Sequence, residues 1–206
     1  MQIATPILFV TNTMCPYAQR TYICLEELKL PYKMDEISLY GPGGKPEYFL
    51  QMNPKGEVPV LKRGDEVVVG SEATLDYLAS LSGELKPAEP HQSLHSQYAD
   101  KMQRWRDIVN NELNSEGKRV VLGGGSSKKL DAVLHKLDSE LEVQEASYVC
   151  GNEVSISDIS AFPFLWRLNQ DRGLPDDCPR LKGWLKAMEE RPAVAKTLVR
   201  SWWWWW

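Results

Sequence analysis

Cys15 stands directly before Pro16 in the stretch Cys15-Pro16-Tyr17-Ala18-Gln19-Arg20, and this order carries the clearest chemistry in the chain. A cysteine attacks through its thiolate, the form that N–H donors and the positive end of a helix stabilise. Pro16 suits the first helical position, where its missing N–H costs nothing and its φ is already helical. Ala18, Tyr22, Leu25 and Leu28 then recur at three and four residues, the apolar face of an amphipathic helix. Cys15 is therefore expected at the N-cap, with the N–H groups of Tyr17 and Ala18 free to donate to sulfur. These placements predict a depressed pKa for Cys15. Ala18 supplies no second thiol within the motif, so a disulfide formed at Cys15 must be resolved from outside it.

The elements that hold this cysteine can be read on either side. Ile7-Leu8-Phe9-Val10 reads as a buried strand leading into it. After the helix, Leu30-Pro31-Tyr32 breaks the pattern and Ile37-Ser38-Leu39 reads as a second strand. Gly41 to Gly44 is a loop, Lys45 to Leu50 opens a short helix, and Asn53-Pro54-Lys55-Gly56 is a strong turn. Val58-Pro59-Val60-Leu61 reads as a third strand, in which proline must sit at an edge, at the start or in a cis bond. A turn from Lys62 to Glu66 leads into Val67-Val68-Val69, and Ser71 caps a helix lined by Ala73, Leu75, Leu78 and Leu81. The order β-α-β-α-β-β-α predicts a mixed four-stranded sheet flanked by helices. Beyond a Gly/Pro/Glu-rich linker, helices are expected over about 93–114, 129–146, 156–169 and 181–190, with a short one after Pro192. The expected organisation is an α/β domain over 1–83, a linker over 84–92 and an all-α domain over 93–206.

Composition sets the limits. A chain of 206 residues can bury a sizeable core in one large or two small domains. A net charge of −4, with no basic cluster interleaved with aromatics, speaks against nucleic acid as a partner. No stretch approaches the roughly 20 apolar residues of a membrane span, and the first residues lack a basic leader. The four cysteines, Cys15, Cys24, Cys150 and Cys178, form no CxxC pair. That spacing argues against a zinc site and a disulfide framework and for a reducing, cytoplasmic setting. Cys24 lies about 13 Å along the helix from Cys15, beyond the reach of a disulfide.

Other motifs have plain explanations. Gly123-Gly124-Gly125-Ser126-Ser127-Lys128 lacks the spacing of a phosphate loop and reads as an interhelix loop. His91 and His95 are four apart but lack the glutamate of a zinc-protease helix, so no metal site is expected. Arg63-Gly64-Asp65 is a hairpin turn. Ser155-Ile156-Ser157-Asp158 is a capping pair that nucleates a core helix.

Taken together, the cysteine opening a helix, the Val-Pro in the third strand, the serine opening the third helix and the helical second half resemble the glutathione transferase superfamily. The Cys15–Arg20 motif resembles its cysteine-type branch, the omega, lambda and dehydroascorbate reductase classes. Lys45-Pro46-Glu47-Tyr48-Phe49, the run from Asn53 to Leu61, Ser71 and Val154–Asp158 extend the match, with wording most like the dehydroascorbate reductases. The resemblance implies a thioredoxin-like N-terminal domain with Cys15 as the catalytic residue. It implies that Pro16, Tyr17, Lys45, Val58, Pro59, Ser71 and Glu72 bind glutathione. Val58 would precede a cis Pro59 and pair with the peptide like an added strand. Lys45 would meet a glutathione carboxylate, and Ser71 the γ-glutamyl carboxylate. The acid these families usually carry before that serine is here Gly70, so either Glu72 holds the glutathione amino group or that group is held less well.

The implied activity is glutathione-dependent reduction of dehydroascorbate through a Cys15–glutathione mixed disulfide. Glutathione would be a cosubstrate, with no permanently bound cofactor. An omega- or lambda-like transferase that removes glutathione from small adducts is the enzyme alternative, and a non-catalytic binding module of the same fold is the other. A monomer is expected rather than a homodimer. The five tryptophans Trp202 to Trp206 fall outside the matched motifs and follow no periodicity. Some of those rings are expected to pack on protein surface, and deletion after Ser201 should spare turnover.

Overall fold

The structure, a computed structural model, describes residues 6–40, 44–82, 92–123, 126–141 and 147–199. The tryptophan tail, most of the linker and His91 lie outside the described residues.

The first half runs β1 (Ile7–Thr11), α1 (Pro16–Glu27), β2 (Tyr32–Glu36), α2 (Glu47–Met52), β3 (Val60–Arg63), β4 (Glu66–Val69) and α3 (Ser71–Ser82). The sheet order is β2-β1-β3-β4. β1 pairs parallel with β2 and antiparallel with β3, and β3 pairs antiparallel with β4. This is the mixed sheet that the element order predicts.

Two strands are displaced from their expected positions. β2 lies at Tyr32–Glu36, not over Ile37-Ser38-Leu39. An edge strand needs only one apolar face, and Tyr32 and Met34 supply it by packing on the core. The apolar Ile37 only extends the ladder by one bond, its N–H donating to the Thr11 carbonyl at 2.9 Å. β3 starts at Val60, after a cis Val58–Pro59 bond, so the proline lies before the ladder rather than within it.

The second half is helical: α4 (Gln92–Asp107), a π-helical turn (Ile108–Leu113), α5 (Asn114–Val121), α6 (Ser127–Glu140), α7 (Ile156–Arg172), α8 (Pro179–Glu189) and α9 (Pro192–Ala195). The expected helix over 93–114 instead continues through the π turn to Val121. α7 opens with the expected capping box, the Ser155 N–H and hydroxyl both donating to Asp158 Oδ2 at 2.8 and 2.7 Å. Asp158 does more than cap: its Oδ1 accepts from the Val149 N–H and from Trp184 Nε1, both at 2.8 Å.

α1 packs against α3, α7 and α9, joining the first half to the helical half. The main core is continuous across this seam, from Phe9, Ile23 and Leu75 to Phe162, Leu165 and Trp184. A smaller cluster of Val10, Ala18, Ile37, Phe49, Val58 and Val60 supports the end of the sheet where Cys15 sits.

Candidate active site

Cys15 is the N-cap of α1, with extended backbone (φ −79°, ψ 120°) and Pro16 in the first turn. Its N–H donates to Asn12 O at 2.9 Å and its carbonyl accepts from the Gln19 N–H at 3.0 Å, which fixes the turn from β1 into the helix. The sulfur is half-buried and not in a disulfide. Burial pushes the thiol up from its ordinary value, against the pull of the Ala18 and Tyr17 N–H groups and of the Arg167 and Arg20 charges. The expectation of a depressed thiol is thus corrected for the unliganded protein. The helix terminus acts as foreseen, but desolvation of a partly enclosed sulfur outweighs it.

Cys15 opens onto a cleft of about 480 Å³, which Tyr17, Lys45, Val58 and Ser71 also line. Leu39, Tyr40, Gly56, Glu57 and Gly70 complete the wall. The volume falls within the range of small-molecule sites, about 300–1,000 Å³. Pro16 is buried in the first helical turn, and Pro59 follows Val58 through the cis bond. Lys45 lies across Gly56, where an added Cβ would come within 2.7 Å of Lys45 Cδ and 2.8 Å of its Nζ. Glu72 does not line this cleft. Its carboxylate pairs with Arg20 Nη1 at 2.9 Å and Arg106 Nη2 at 2.5 Å, and accepts from the Ser160 hydroxyl at 2.6 Å. Burial alone would raise Glu72, but the two guanidinium groups and Ser160 hold its carboxyl below the usual range.

The residues that sequence reasoning passed over are arginines. Arg20 is fully buried and reaches three other elements, α3, α7 and the π turn. Its Nη1 donates to Ser71 Oγ at 3.0 Å, its Nε to Ser160 O at 2.7 Å, and its Nη2 to Asn110 Oδ1 at 2.9 Å. Its guanidinium lies 4.6 Å from the Phe164 ring centroid. Ser71 is thereby held by Arg20, which the helical half anchors through Ser160 on α7 and Asn110 on the π turn. Arg167, on α7, is buried beside Cys15. A signal existed for it: a lone cation in the apolar run from Phe162 to Leu168. Elsewhere, His135, Asp177 and Cys178 bring possible ligand atoms within 4.8 Å of one another, with His135 Nε2 in an ion pair to Asp177 at 2.9 Å.

The family profile "Glutathione S-transferase, N-terminal domain" matches residues 14–81, and "Glutathione S-transferase, C-terminal domain" matches residues 125–187. The chain belongs to the glutathione S-transferase family. It is 28% identical over 189 residues to "Glutathione S-transferase DHAR2" of Arabidopsis thaliana, covering 89% of this chain and 83% of that protein. To "Glutathione S-transferase omega-1" of Sus scrofa it is 28% identical over 187 residues, covering 88% and 76%. In three dimensions it is similar to rice GST1 in complex with glutathione, with a TM-score of 0.81 at 22% identity over 95% of this chain and 93% of that one. These matches establish the fold: a thioredoxin-like mixed sheet with helices, followed by an all-helical domain.

Proposed function

We propose that this protein is a glutathione-dependent thiol–disulfide oxidoreductase that reduces dehydroascorbate. The observation that carries the reading is a cysteine, rather than a serine or tyrosine, at the α1 N-cap where it opens onto the cleft. Hydroxyl groups at such a place activate the glutathione thiol for conjugation. A thiol forms a disulfide with it. In this reading the Val58 backbone pairs with the cysteinyl part of glutathione, and Lys45 and Ser71 take its two carboxylates. Glu72, engaged by Arg20 and Arg106, acts on the ligand through Arg20 and Ser71 rather than by touching its amino group. The two electrons that reduce dehydroascorbate come from Cys15 and one glutathione, which end as a mixed disulfide. A second glutathione attacks the glutathionyl sulfur, leaving glutathione disulfide and the Cys15 thiolate.

The equal similarity to an omega-type relative supports a second reading, removal of glutathione from small adducts by the same Cys15 chemistry. The test is turnover of dehydroascorbate against a glutathionylated small thiol, each with wild type and Cys15→Ser. Dehydroascorbate turnover that vanishes in Cys15→Ser is the expected result. Turnover of the adduct alone would transfer the conclusion to the second reading. Full turnover by Cys15→Ser would remove the mechanism.

A further inference from the structure

Two guanidinium groups lie buried near Cys15, and only one has an anionic partner among the described residues. Arg20 is paired with Glu72. Arg167 is 3% exposed and donates from Nη1 to Gln19 Oε1 and to Pro163 O at 3.0 Å, and from Nη2 to Met14 O at 3.5 Å. All three acceptors are uncharged. Gln19 is itself fixed, its amide donating to Thr197 O at 3.2 Å and Thr197 Oγ1 at 3.1 Å, so its oxygen stays turned to Arg167. A cation taken out of water without a counter-ion is strongly penalised. A negative charge on Cys15 would act against this penalty. The residue just before Cys15, Met14, supplies one of the carbonyls that hold the guanidinium.

We propose that Arg167 is the counter-ion of the Cys15 thiolate, a positioning residue that favours expulsion of that thiolate when glutathione resolves the mixed disulfide. The proposal rests on the oxidoreductase reading for its second half only. While Cys15 is a neutral thiol or a disulfide, Arg167 has only its neutral acceptors and the Trp166 ring, centred 5.6 Å from its Cζ, and no anion among the described residues. Attack of a glutathione thiolate on the glutathionyl sulfur forms the S–S bond of glutathione disulfide and breaks the bond to Cys15. The departing electron pair becomes the negative charge on Cys15, beside the guanidinium. A leaving thiol of lower pKa leaves faster. The other charged or titratable groups around the sulfur among the described residues are Tyr17 and Arg20 on α1 and Tyr40, Lys45 and Glu57 on the cleft wall. The Arg20 charge is already balanced by Glu72, so Arg167 is the one whose removal should be felt.

The experiment compares wild type with Arg167→Met, Arg167→Gln and Arg167→Lys, each checked for cooperative melting. Carbamidomethylation of Cys15 by iodoacetamide, without glutathione, is followed by peptide mass spectrometry from about pH 6 to 10.5. In the neutral variants the midpoint should rise by about one unit and the neutral-pH rate fall about tenfold, while Lys keeps more than half of the wild-type rate. Gln can keep the bonds to Pro163 and Met14, so it reports if Met does not fold. An unmoved midpoint in a folded neutral variant overturns the proposal. In a second arm, the preformed Cys15–glutathione disulfide is mixed with glutathione and release is timed, with a several-fold slowing expected in the neutral variants. A shifted midpoint with unchanged release overturns the leaving-group half. A shifted midpoint in a protein that turns over neither dehydroascorbate nor a glutathionylated thiol overturns the functional reading and supports the counter-ion.

Discussion

A buried thiol is a poor nucleophile until it ionises, and Cys15 is held on the reluctant side by its enclosure. Because burial raises its pKa, thiolate is scarce at neutral pH and accumulates as pH climbs through the alkaline range. The alkylation rate of Cys15 in the free protein should therefore keep rising past the ordinary thiol midpoint of about 8.5, and a plateau reached below that value would contradict the burial argument. Gly56 offers a second test. Its φ of +65° disfavours any L side chain, and the space over it is occupied by Lys45. Gly56→Ala should displace Lys45 and weaken glutathione binding, measured by calorimetry, with a stability loss of about 1 kcal/mol from the backbone alone. Cys15 and Pro16 were legible because local chemistry fixes where they sit, a cap and a first turn. Ser71, expected as a cap, is instead the first residue of α3: the Gly70 carbonyl takes the Thr74 N–H at 3.0 Å, and the Ser71 hydroxyl turns to Arg20. Arg20 and Arg167 were not legible. A cation in a helix reads as its solvated face, and only the arrival of a second layer of helices encloses it.

The elements show the same division. α1, β1 and α7 carry their periodicity and caps in the sequence, and all three form as expected. β2 was displaced because an edge strand tolerates polar residues that look like a loop, while the apolar Ile37 beyond it looks like a strand. The π turn has no comparable signature. Its Ile108, Val109 and Leu113 are buried and its Asn110 meets Arg20, tertiary contacts that no local pattern announces. The element with the most at stake in one side chain is α7. Asp158 receives the Val149 and Ser155 N–H groups, the Ser155 hydroxyl and the Trp184 indole. Asp158→Ala would leave these buried donors unpaired, so a loss of about 3 kcal/mol or more is expected in urea unfolding. A loss under 1 kcal/mol would mean that water replaces the carboxylate.

At the scale of the molecule, the two halves meet through a charge network as well as through apolar packing. Glu72 on α3 binds Arg20 on α1 and Arg106 on α4, and Arg106 also pairs with Asp76 at 2.9 Å. A carboxyl held below its unfolded pKa adds stability at pH values above that pKa, and the addition disappears as pH falls through the lower, folded value. Acid should thus weaken this seam from about pH 4 downward. Glu72→Gln should make the protein less stable at neutral pH and flatten that acid dependence, both seen in melting curves against pH. Because α1 packs on α3 as well as on α7 and α9, the Cys15 at its cap senses both halves. The chain therefore contains a built-in gauge of its own integrity. Under gentle denaturation, separation of the helical half would strip Arg167 and α7 from the Cys15 environment while β1 still held the turn. The speed at which a thiol reagent marks that one sulfur would then report the parting of the two halves, quickened by the loss of enclosure and held back by the loss of Arg167, and the Arg167→Met variant would separate the two effects.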